Sequence, residues 1–386
     1  MNKLFKGSNI IIILFLAIVV CGGVLFAQHN KQFYAKVIEA RDIKAVKNLR
    51  TALSSEKMDE PFKIITGIVD KNILRKKEVA DFTYYEIGNN DYAVLKTESF
   101  SEKEIADFTN NVETIYDKAT DMGAQFLYVN TPARLNDEYK KKLENVDYQD
   151  VNDRLFLGKL DNNIPVLNLR NSEEINALEQ VYYKTDHHFT IDATFVAFKE
   201  TVEAFKEIYG EDLDADGLYT DINNYDVMEK KKVFSGSTRV NIGGAYVEKE
   251  DYKIFAPKYD TLLGFKHYDA KKEITQESEG PFIQSLCNMS IFEDDSIVNK
   301  YNVYLGGATT ESVIENRLAS NDKKLLVLST SYARSYVPYV AQLFAETRFL
   351  DPQVGRYEKS VIEYMEDYKP DTVIIMNETY TAFAVD

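Results

Sequence analysis

Apolar and polar positions along the chain alternate between helical and strand-like patterns. The segment FSEKEIADFTNNVETIYDKATDMG, residues 100–123, has apolar residues three or four positions apart. It opens near Ser101, with Glu104 three residues later, and stops at Gly123, which are typical start and stop signals of a helix. The short apolar run AQFLYVNTP follows it. The pattern therefore predicts a helix and then a strand.

The same alternation continues to the C-terminus. A helix is predicted over EEINALEQ, and another over residues 191–209, where apolar positions share one face and Gly210 follows. The later predicted elements are the strand KKLLVLSTS, the helix SYVPYVAQLFAE, the strand TRFLD, and the helix and strand of KSVIEYMEDYKPDTVIIMN. Strands separated by helices predict an α/β fold with a mostly parallel central sheet and helices on both faces. Residues 219–313 are less regular and are predicted to form a loop-rich insertion.

The N-terminal region reads as a membrane anchor followed by a stalk. Lys3 and Lys6 precede an uncharged apolar run over about 8–27, which is long enough to cross a bilayer and leaves residues 1–7 in the cytoplasm. A cleaved signal peptide is the competing interpretation, although Leu25-Phe26-Ala27 is a poor cleavage site. Residues 28–77 are charged and helix-prone, which is typical of a stalk. Residues 78–386 would then form an outward-facing domain.

Composition narrows the possible partners and chemistry. The 386 residues carry a formal net charge of −16, which disfavours nucleic acid as a partner, and a hydrophobic content of 45% is enough for a packed core. Of the two cysteines, Cys21 lies in the apolar run, so Cys287 has no partner for an intrachain disulfide outside the membrane. Cys287 is more typical of a small buried hydrophobe than of a nucleophile.

The stretch YYKTDHHFT, residues 182–190, contains two of the four histidines of the chain. In an extended segment, residues two apart project to the same side, so the Asp186 carboxylate can hold the His188 imidazole in one tautomer. Thr190 is the predicted N-cap of the following helix. These residues predict a proton-transfer pair, and a purely capping and surface role is the alternative.

A serine follows a buried strand at KKLLVLSTS. In an open α/β sheet, ligands bind beyond the carboxyl ends of the strands, and a helix start there supplies backbone N–H groups for an oxyanion. Ser331 falls at that point and is a candidate nucleophile, with His188 as its base and Asp186 as the orienting acid. A simple helix cap is the alternative for Ser331.

Metal binding is a weaker alternative at two places. Asp186, His187 and His188 are adjacent in sequence and cannot easily wrap one ion without a further His or Cys from elsewhere. The loop DLDADGLYTDIN has the spacing of a calcium loop, with its ligands drawn from Asp212, Asp214 and Asp216, but Asn223 replaces the usual glutamate. A solvated acidic turn is the alternative there, and no metal or cofactor is expected.

Two motifs together resemble the SGNH-hydrolase-like polysaccharide O-acetyltransferases, of the alginate O-acetyltransferase type (AlgX and AlgJ) and its DHHW relatives. Tyr182, Asp186 and His188 match the first family motif, and Thr330-Ser331-Tyr332 match the second. LYVNTPAR and VFSGS, residues 127–134 and 233–237, resemble two further family segments. The resemblance implies catalytic roles for Ser331, His188 and Asp186.

This sequence departs from the family pattern in three places. Thr330 stands where an aspartate is common in the DHHW branch, although threonine occurs in the alginate branch. Phe189 stands where a tryptophan is usual, and Ser329 stands where a glycine is usual. The expected oxyanion donors are the amides of Ser331 and Tyr332, with contributions from Gly236 and Ser237. Tyr182 and Thr330 are expected to support the site.

The resemblance implies an extracytoplasmic enzyme, anchored in the cytoplasmic membrane, that moves acetyl groups onto hydroxyls of a cell-envelope or secreted polysaccharide. Its acetyl donor would be relayed by a membrane-bound O-acyltransferase. Two alternatives use the same residues differently: a carbohydrate esterase with the same triad, and a polysaccharide-binding scaffold without catalysis.

Overall fold

The computed structural model describes residues 71, 74–75, 77–79, 82–87, 90–95, 98–132, 148–355, 357, 359–377 and 383–385. The predicted cytoplasmic tail, the predicted membrane anchor and nearly all of the predicted stalk lie outside these residues. No helix within the described ranges is long and apolar enough to span a bilayer. The chain divides into two compact units, which are Met1–Leu95 with Thr238–Glu248, and Lys96–Ser237 with Lys249–Asp386.

The first unit contains a three-stranded antiparallel sheet. Its strands are, in order across the sheet, β1 (Glu78–Val79), β2 (Phe82–Ile87) and β3 (Asn90–Leu95). Phe82 joins a small apolar cluster with Ile242, Tyr246 and Val247.

The second unit is built on an eight-stranded sheet in the order β5-β4-β13-β11-β12-β10-β8-β9. The strands are β4 (Gln125–Asn130), β5 (Val166–Asn168), β8 (Leu263–Tyr268), β9 (Ile274–Gly280), β10 (Glu311–Asn316), β11 (Lys324–Ser329), β12 (Glu346–Leu350) and β13 (Thr372–Asn377). The first five in the order run parallel, and the last three are antiparallel. A separate hairpin pairs β6 (Tyr225–Phe234) with β7 (Glu250–Pro257). The sheet is therefore mostly parallel, as the sequence predicts.

Among the helices of the described residues, α1 and α4 are the two long ones. They are α1 (Glu102–Asp121), α2 (Tyr148–Lys159), α3 (Glu173–Ala177), α4 (Ile191–Tyr209), α5 (Ser237–Ile242), α6 (Phe282–Leu286), α7 (Met289–Glu293), α8 (Val337–Val340) and α9 (Val361–Tyr368). Helix α1 begins with a capping box in which Ser101 and Glu104 bond each other's backbone, and α4 ends at Gly210 in a left-handed conformation. Both ends agree with the signals in the sequence.

Each central strand contributes alternate side chains to two cores, one on either face of the sheet. On β11, Leu325 and Val327 join the larger core with α4, whereas Leu326 and Leu328 join the smaller core with α1 and α9. This alternation follows from the two-residue period of a strand covered on both faces. The turn that follows β11 packs into the larger core, which fixes the side of the sheet on which its residues lie.

Two predicted regions differ from the structure. SYVPYVAQLFAE, residues 335–346, does not form one helix; after the preceding 3-10 turn Ser331–Arg334 it forms α8 and then a second 3-10 turn, Ala341–Leu343. Pro338 lacks an N–H group, and nearly every residue of the stretch is buried, so tertiary packing determines the backbone there. Residues 219–313 are also more regular than predicted, because they contain β6 to β9 and the start of β10.

Candidate active site

The YYKTDHHFT segment forms a tight loop closed by backbone bonds. Tyr182 pairs with Phe189 in an antiparallel bridge, and the Tyr183 N–H donates to the His188 carbonyl at 3.0 Å. Thr190 then caps α4, because its hydroxyl accepts from the Ala193 N–H at 3.2 Å and donates to the Gln180 carbonyl at 3.0 Å. The loop is therefore fixed at both ends, directly beside Asp186 and His188.

Ser331 lies at the carboxyl end of β11, where that strand turns toward the larger core. Thr330 is extended and buried, and Ser331 begins the 3-10 turn that runs to Arg334. The chain thus leaves the sheet at the edge where parallel strands of open α/β sheets present ligand sites. Although the predicted long helix is absent, Ser331 remains the first residue of a helical turn.

The fold brings Ser331, His188 and Asp186 together. The His188 Nε2 and Ser331 Oγ atoms are 2.8 Å apart, across 143 positions of sequence. On the other side of the ring, His188 Nδ1 hydrogen-bonds the Asp186 carboxylate, which also accepts from the His188 backbone N–H at 3.1 Å. This is the order of contacts in a nucleophile, base and orienting acid.

Asp186 is buried and yet held in its ionised form. Burial alone would raise the pKa of its carboxyl, but His188, His187 and the Ser237 backbone N–H together hold that pKa well below its usual range. The Ser237 N–H donates to the Asp186 Oδ2 atom at 2.7 Å. An ionised Asp186 favours the His188 tautomer that carries its proton on Nδ1 and accepts at Nε2.

Gly236 and Ser237, the further expected oxyanion donors, lie against the Asp186 carboxylate. The Ser237 N–H is used by Asp186, and a Cβ atom on Gly236 would lie 2.1 Å from the Asp186 Oδ2 atom. The pair therefore packs against the orienting acid. The VFSGS segment supports the acid because glycine alone leaves room for the carboxylate.

Tyr301 is a site residue that sequence reasoning missed. Its ring stacks on the His188 imidazole with centroids 3.7 Å apart and planes at 13°, and it is fully buried. Its hydroxyl donates to the Ser331 carbonyl at 2.9 Å and lies 3.1 Å from the Tyr332 carbonyl. Tyr301 thus contacts both the base and the backbone of the nucleophile. It is one of 26 tyrosines, with no local motif, so the sequence carried no signal for it.

Aromatic side chains form a wall around the histidine pair. The Tyr332 ring lies 5.4 Å from that of His188 and 5.5 Å from that of Phe189, and the Phe189 ring lies 4.9 Å from that of Tyr182. The Tyr182 hydroxyl donates to the Pro132 carbonyl at 2.6 Å. Phe189 is therefore a buried aromatic contact, and Tyr182 ties the loop to the strand end after β4.

The possible ligand atoms of Asp186, His187 and His188 lie within 4.8 Å of one another, which is close enough to share a metal ion. Their hydrogen bonds compete with such a role. His188 uses both ring nitrogens, Asp186 uses both oxygens, and His187 Nδ1 contacts the Ser237 hydroxyl at 2.9 Å. A metal would have to displace the contacts that align Ser331.

The other predicted alternatives are not supported by contacts. Asp214 accepts from the backbone N–H groups of Tyr219 and Thr220, and Asp212 pairs with Lys206 at 2.9 Å. In the described part of the chain, no metal-type cluster includes Asp212, Asp214 or Asp216. The Cys287 thiol is buried, and burial raises its pKa well above the usual range, which disfavours the thiolate.

Comparison with known proteins gives the fold. Neither a protein-family model nor a curated protein matches the sequence. Bacillus cereus PatB1, solved with a sulfonyl adduct, superimposes with a TM-score of 0.61 at 19% identity, over 79% of this chain and 97% of that chain. A DHHW family protein from Eubacterium siraeum gives a TM-score of 0.58 at 17% identity, over 79% of this chain and 93% of that chain.

The O-acetyltransferase domain of Pseudomonas putida AlgJ gives a TM-score of 0.44 at 13% identity, over 78% of this chain and 92% of that chain. The likeness to the DHHW family protein confirms, at the level of fold, the resemblance that the Asp-His-His motif indicates. The mostly parallel sheet is consistent with an SGNH-hydrolase-like fold.

Proposed function

We propose that this chain is an O-acetyltransferase that transfers acetyl groups onto hydroxyls of a cell-envelope or secreted polysaccharide. The observation that carries the proposal is the continuous contact from Asp186 through His188 to Ser331 at the carboxyl edge of the sheet. The motif resemblance, Tyr182-Asp186-His188 with Thr330-Ser331-Tyr332, supports acetyl transfer as the reaction.

In the proposed first step, Ser331 Oγ attacks the carbonyl carbon of an acetyl ester. His188 Nε2 takes the hydroxyl proton as the C–O bond forms, and Asp186 stabilises the resulting imidazolium. When the tetrahedral intermediate collapses, the leaving alkoxide departs with the proton from His188. An acetyl-serine remains, and the Ser331 and Tyr332 amides are the proposed donors to the oxyanion.

In the second step, a sugar hydroxyl attacks the acetyl-serine. His188 takes the proton of that hydroxyl and returns it to Ser331 Oγ as the serine leaves, so the enzyme is restored and the sugar carries the acetyl ester. Attack by water at the same point would make the enzyme an esterase. The aromatic side chains around His188, particularly Tyr332 and Tyr301, favour transfer because they limit access of water to the base.

Location and partners belong to the same proposal. With the N-terminal run as an anchor, the domain would lie on the extracytoplasmic face of the membrane, where acetyl-CoA is absent. The acetyl group would then come through a membrane-bound O-acyltransferase, and the acceptor would be the polysaccharide as it leaves the cell.

The first test mixes the full-length chain with a chromogenic acetyl ester and follows the intact protein by mass spectrometry. We expect release of the chromophore together with a transient acetyl adduct in the wild type, and neither in Ser331→Ala. We also expect an arylsulfonyl fluoride to modify Ser331 covalently, in line with the sulfonyl adduct in the PatB1 structure.

Addition of an oligosaccharide separates transfer from hydrolysis. A transferase gives an acetylated sugar and faster loss of the adduct, whereas an esterase gives acetate alone. A folded wild-type protein with no adduct and no chromophore release would refute the proposed enzyme and favour the non-catalytic scaffold.

A further inference from the structure

We infer that the sheet carries a second binding site, a groove for a neutral oligosaccharide on the face opposite the Ser331 turn. The inference goes beyond the proposed function, because binding in this groove requires neither the triad nor acetyl transfer. It begins from a part of that face that the smaller core leaves uncovered.

The strands β8, β9 and β10 extend the sheet past the smaller core. Leu326 of β11 and Leu350 of β12 lie in that core, whereas in the described part of the chain no residue of β8, β9 or β10 joins it. The register places Val313 between Arg348 and Lys266, so these three side chains share the face of Leu326. Antiparallel strands often have one face in water, and the outer strand β9 is mostly exposed. This half of the face is therefore polar and accessible from solvent.

Two adjoining cavities form the groove. One, of about 460 Å³, lies over β12, β10 and β8 beside α9, and the other, of about 260 Å³, lies over β10, β8 and β9. Lys266, Val313 and Glu315 line both cavities. From Lys324 on β11 to Glu277 on β9 the groove crosses five strands, which is about 19 Å at the usual strand spacing. A groove of that length accommodates several sugar units in a row.

The charged side chains of the groove neutralise one another. Among the described residues, six basic and six acidic side chains line the two cavities. Lys266 pairs with Glu277 at 3.2 Å, and the Arg348 Nε atom donates to Glu346 at 2.7 Å. A polyanion or a polycation would meet charges of its own sign here, and the net charge of −16 disfavours a polyanion further. Sugar hydroxyls both donate and accept, so the lining favours an uncharged, hydroxyl-rich ligand.

A stack of tyrosine rings forms the wall of the groove beside α9. The rings of Tyr357 and Tyr364 are nearly parallel, with centroids 6.2 Å apart, and the Arg348 Cζ atom lies 4.2 Å from the centroid of the Tyr368 ring. The hydroxyls of Tyr357 and Tyr364 both donate to the buried Glu311 carboxylate. These contacts hold the wall in one geometry before a ligand binds, which lowers the entropy cost of binding. Half-buried tyrosines present apolar and polar surface together, as a sugar does.

A protein partner fits the groove less well. The centres of protein interfaces are poor in charged side chains, whereas charged side chains make up most of this lining. Gly264, which is paired with Glu315 on β10 and with Glu279 on β9, leaves the floor between those two side chains open. A concave floor between charged rims suits a single strand of sugars.

The test measures binding of amino-sugar oligomers to the full-length chain. The probes share one β-1,4-linked glucosamine skeleton: the N-acetylated hexamer is neutral, the deacetylated hexamer is cationic, and the N-succinylated hexamer is anionic. We expect calorimetry to show the neutral hexamer binding at least about tenfold tighter than either charged hexamer or the N-acetylated disaccharide, because it engages more of the donors and acceptors. Hydrogen exchange should slow in β8 to β10 and be unchanged in the loop of residues 182–190.

Two variants of the groove and one control locate the site. The double variant Lys266→Ala with Glu315→Ala removes one charge of each sign, and it should weaken binding of the neutral hexamer at least about tenfold. Gly264→Val fills the floor and should weaken it as much, and an added Cβ there lies 3.4 Å from the nearest side-chain atoms, which the fold tolerates. The control Lys199→Ala with Glu174→Ala removes an exposed ion pair of α3 and α4 and should bind like the wild type. Both groove variants should keep wild-type ester kinetics, which shows that they are folded.

Binding that survives both groove variants, or protection confined to residues 182–190, overturns the inference. Tighter binding of a charged hexamer, or equal binding of the disaccharide, overturns it as well. No binding of the neutral hexamer also overturns it and leaves this face to a protein partner. Hexamer binding that depends on Lys266 and Glu315, without an acetyl adduct on Ser331, would support the groove and refute the transferase.

Discussion

At the scale of the residue, the site depends on a position that has no side chain. Gly236 lies against the Asp186 carboxylate, and a Cβ atom there would come within 2.1 Å of Oδ2 and 2.5 Å of Cγ. Real Cβ atoms do not approach so closely, so the carboxylate would have to move away from the Ser237 N–H and from His188. Gly236 therefore constrains the orientation of the base through the acid.

We expect Gly236→Ala to lower kcat/KM for a chromogenic acetyl ester by about a hundredfold, because displacement of a catalytic group by roughly 1 Å costs that much. Stopped-flow kinetics and thermal unfolding of the same sample measure the effect. The control is Gly158→Ala in α2, where an added Cβ meets nothing within 4 Å. That variant should keep full activity and gain up to about 0.5 kcal/mol in stability. Equal activity of Gly236→Ala and wild type would show that Asp186 does not orient His188.

Sequence reasoning identified those site residues that carry a local motif. Asp186 and His188 are two apart in a recognisable segment, and Ser331 follows a buried strand, so their chemistry and spacing were visible. Tyr301 was missed because its contacts with His188 and with the Ser331 backbone arise from stacking and burial between distant segments. Ser237 shows the same limit, since the direction of its N–H, toward Asp186, depends on the backbone path and not on composition.

At the scale of the element, helix starts were predictable where capping side chains mark them. Thr190 and Gly210 bracket α4, and Ser101 with Glu104 opens α1, so the bounds follow from local hydrogen bonding. The stretch 335–346 was not predictable, because burial on every side removes the helical period. β9 has mostly exposed, polar residues and is a strand only through its pairing with β8, which no local pattern reveals.

Two helix caps of similar strength are expected to differ in their effect on activity. Thr190→Ala and Ser101→Ala should each lower the free energy of unfolding by about 1 kcal/mol, because each leaves N-terminal helix N–H groups without an acceptor. Only Thr190→Ala should also lower kcat/KM, since Thr190 ties the loop of His188 to both α4 and Gln180. Urea titration and ester kinetics on the same variants measure both quantities.

Thr190→Ser is the matched control, because it retains the hydroxyl and should restore both stability and rate. If Thr190→Ala lost stability but kept the wild-type kcat/KM, the loop would be held by its other contacts, such as the bonds from Lys184 and Thr185 to Glu250. The caps would then be equivalent, and the cap of α4 would have no part in positioning the base.

At the scale of the whole molecule, the sheet gathers polar groups from distant parts of the chain at one edge. Ser331 follows β11, Asp351 follows β12, and His267 comes near the end of β8, two strands further along the sheet. Asp351 and His267 are both buried, so the protonation of their side chains is coupled to global unfolding. The pH dependence of stability is therefore expected to report on this edge.

His267 and Asp351 are expected to act with opposite signs between pH 4 and 6.5. The pKa of His267 falls from 6.5 to about 4 on folding, so the unfolded chain binds a proton that the folded chain does not, and acidification destabilises the fold. The pKa of Asp351 rises from 3.8 to about 6, so the folded chain binds the proton first, and acidification stabilises the fold. Each contribution reaches about 2 kcal/mol at pH 4.5.

Urea unfolding at pH 7 and at pH 4.5 measures these contributions, and each variant is compared with itself, so the packing cost of the substitution cancels. On acidification, the free energy of unfolding of His267→Gln should fall by about 2 kcal/mol less than that of the wild type, because the variant has no imidazole that takes up a proton on unfolding. The free energy of unfolding of Asp351→Asn should fall by about 2 kcal/mol more than that of the wild type, because the folded variant has no carboxylate that takes up a proton in this pH range. In the double variant, the change in the free energy of unfolding between pH 7 and pH 4.5 should be close to that of the wild type. Shifts of the same sign in both single variants would show that at least one of these groups is not buried as described.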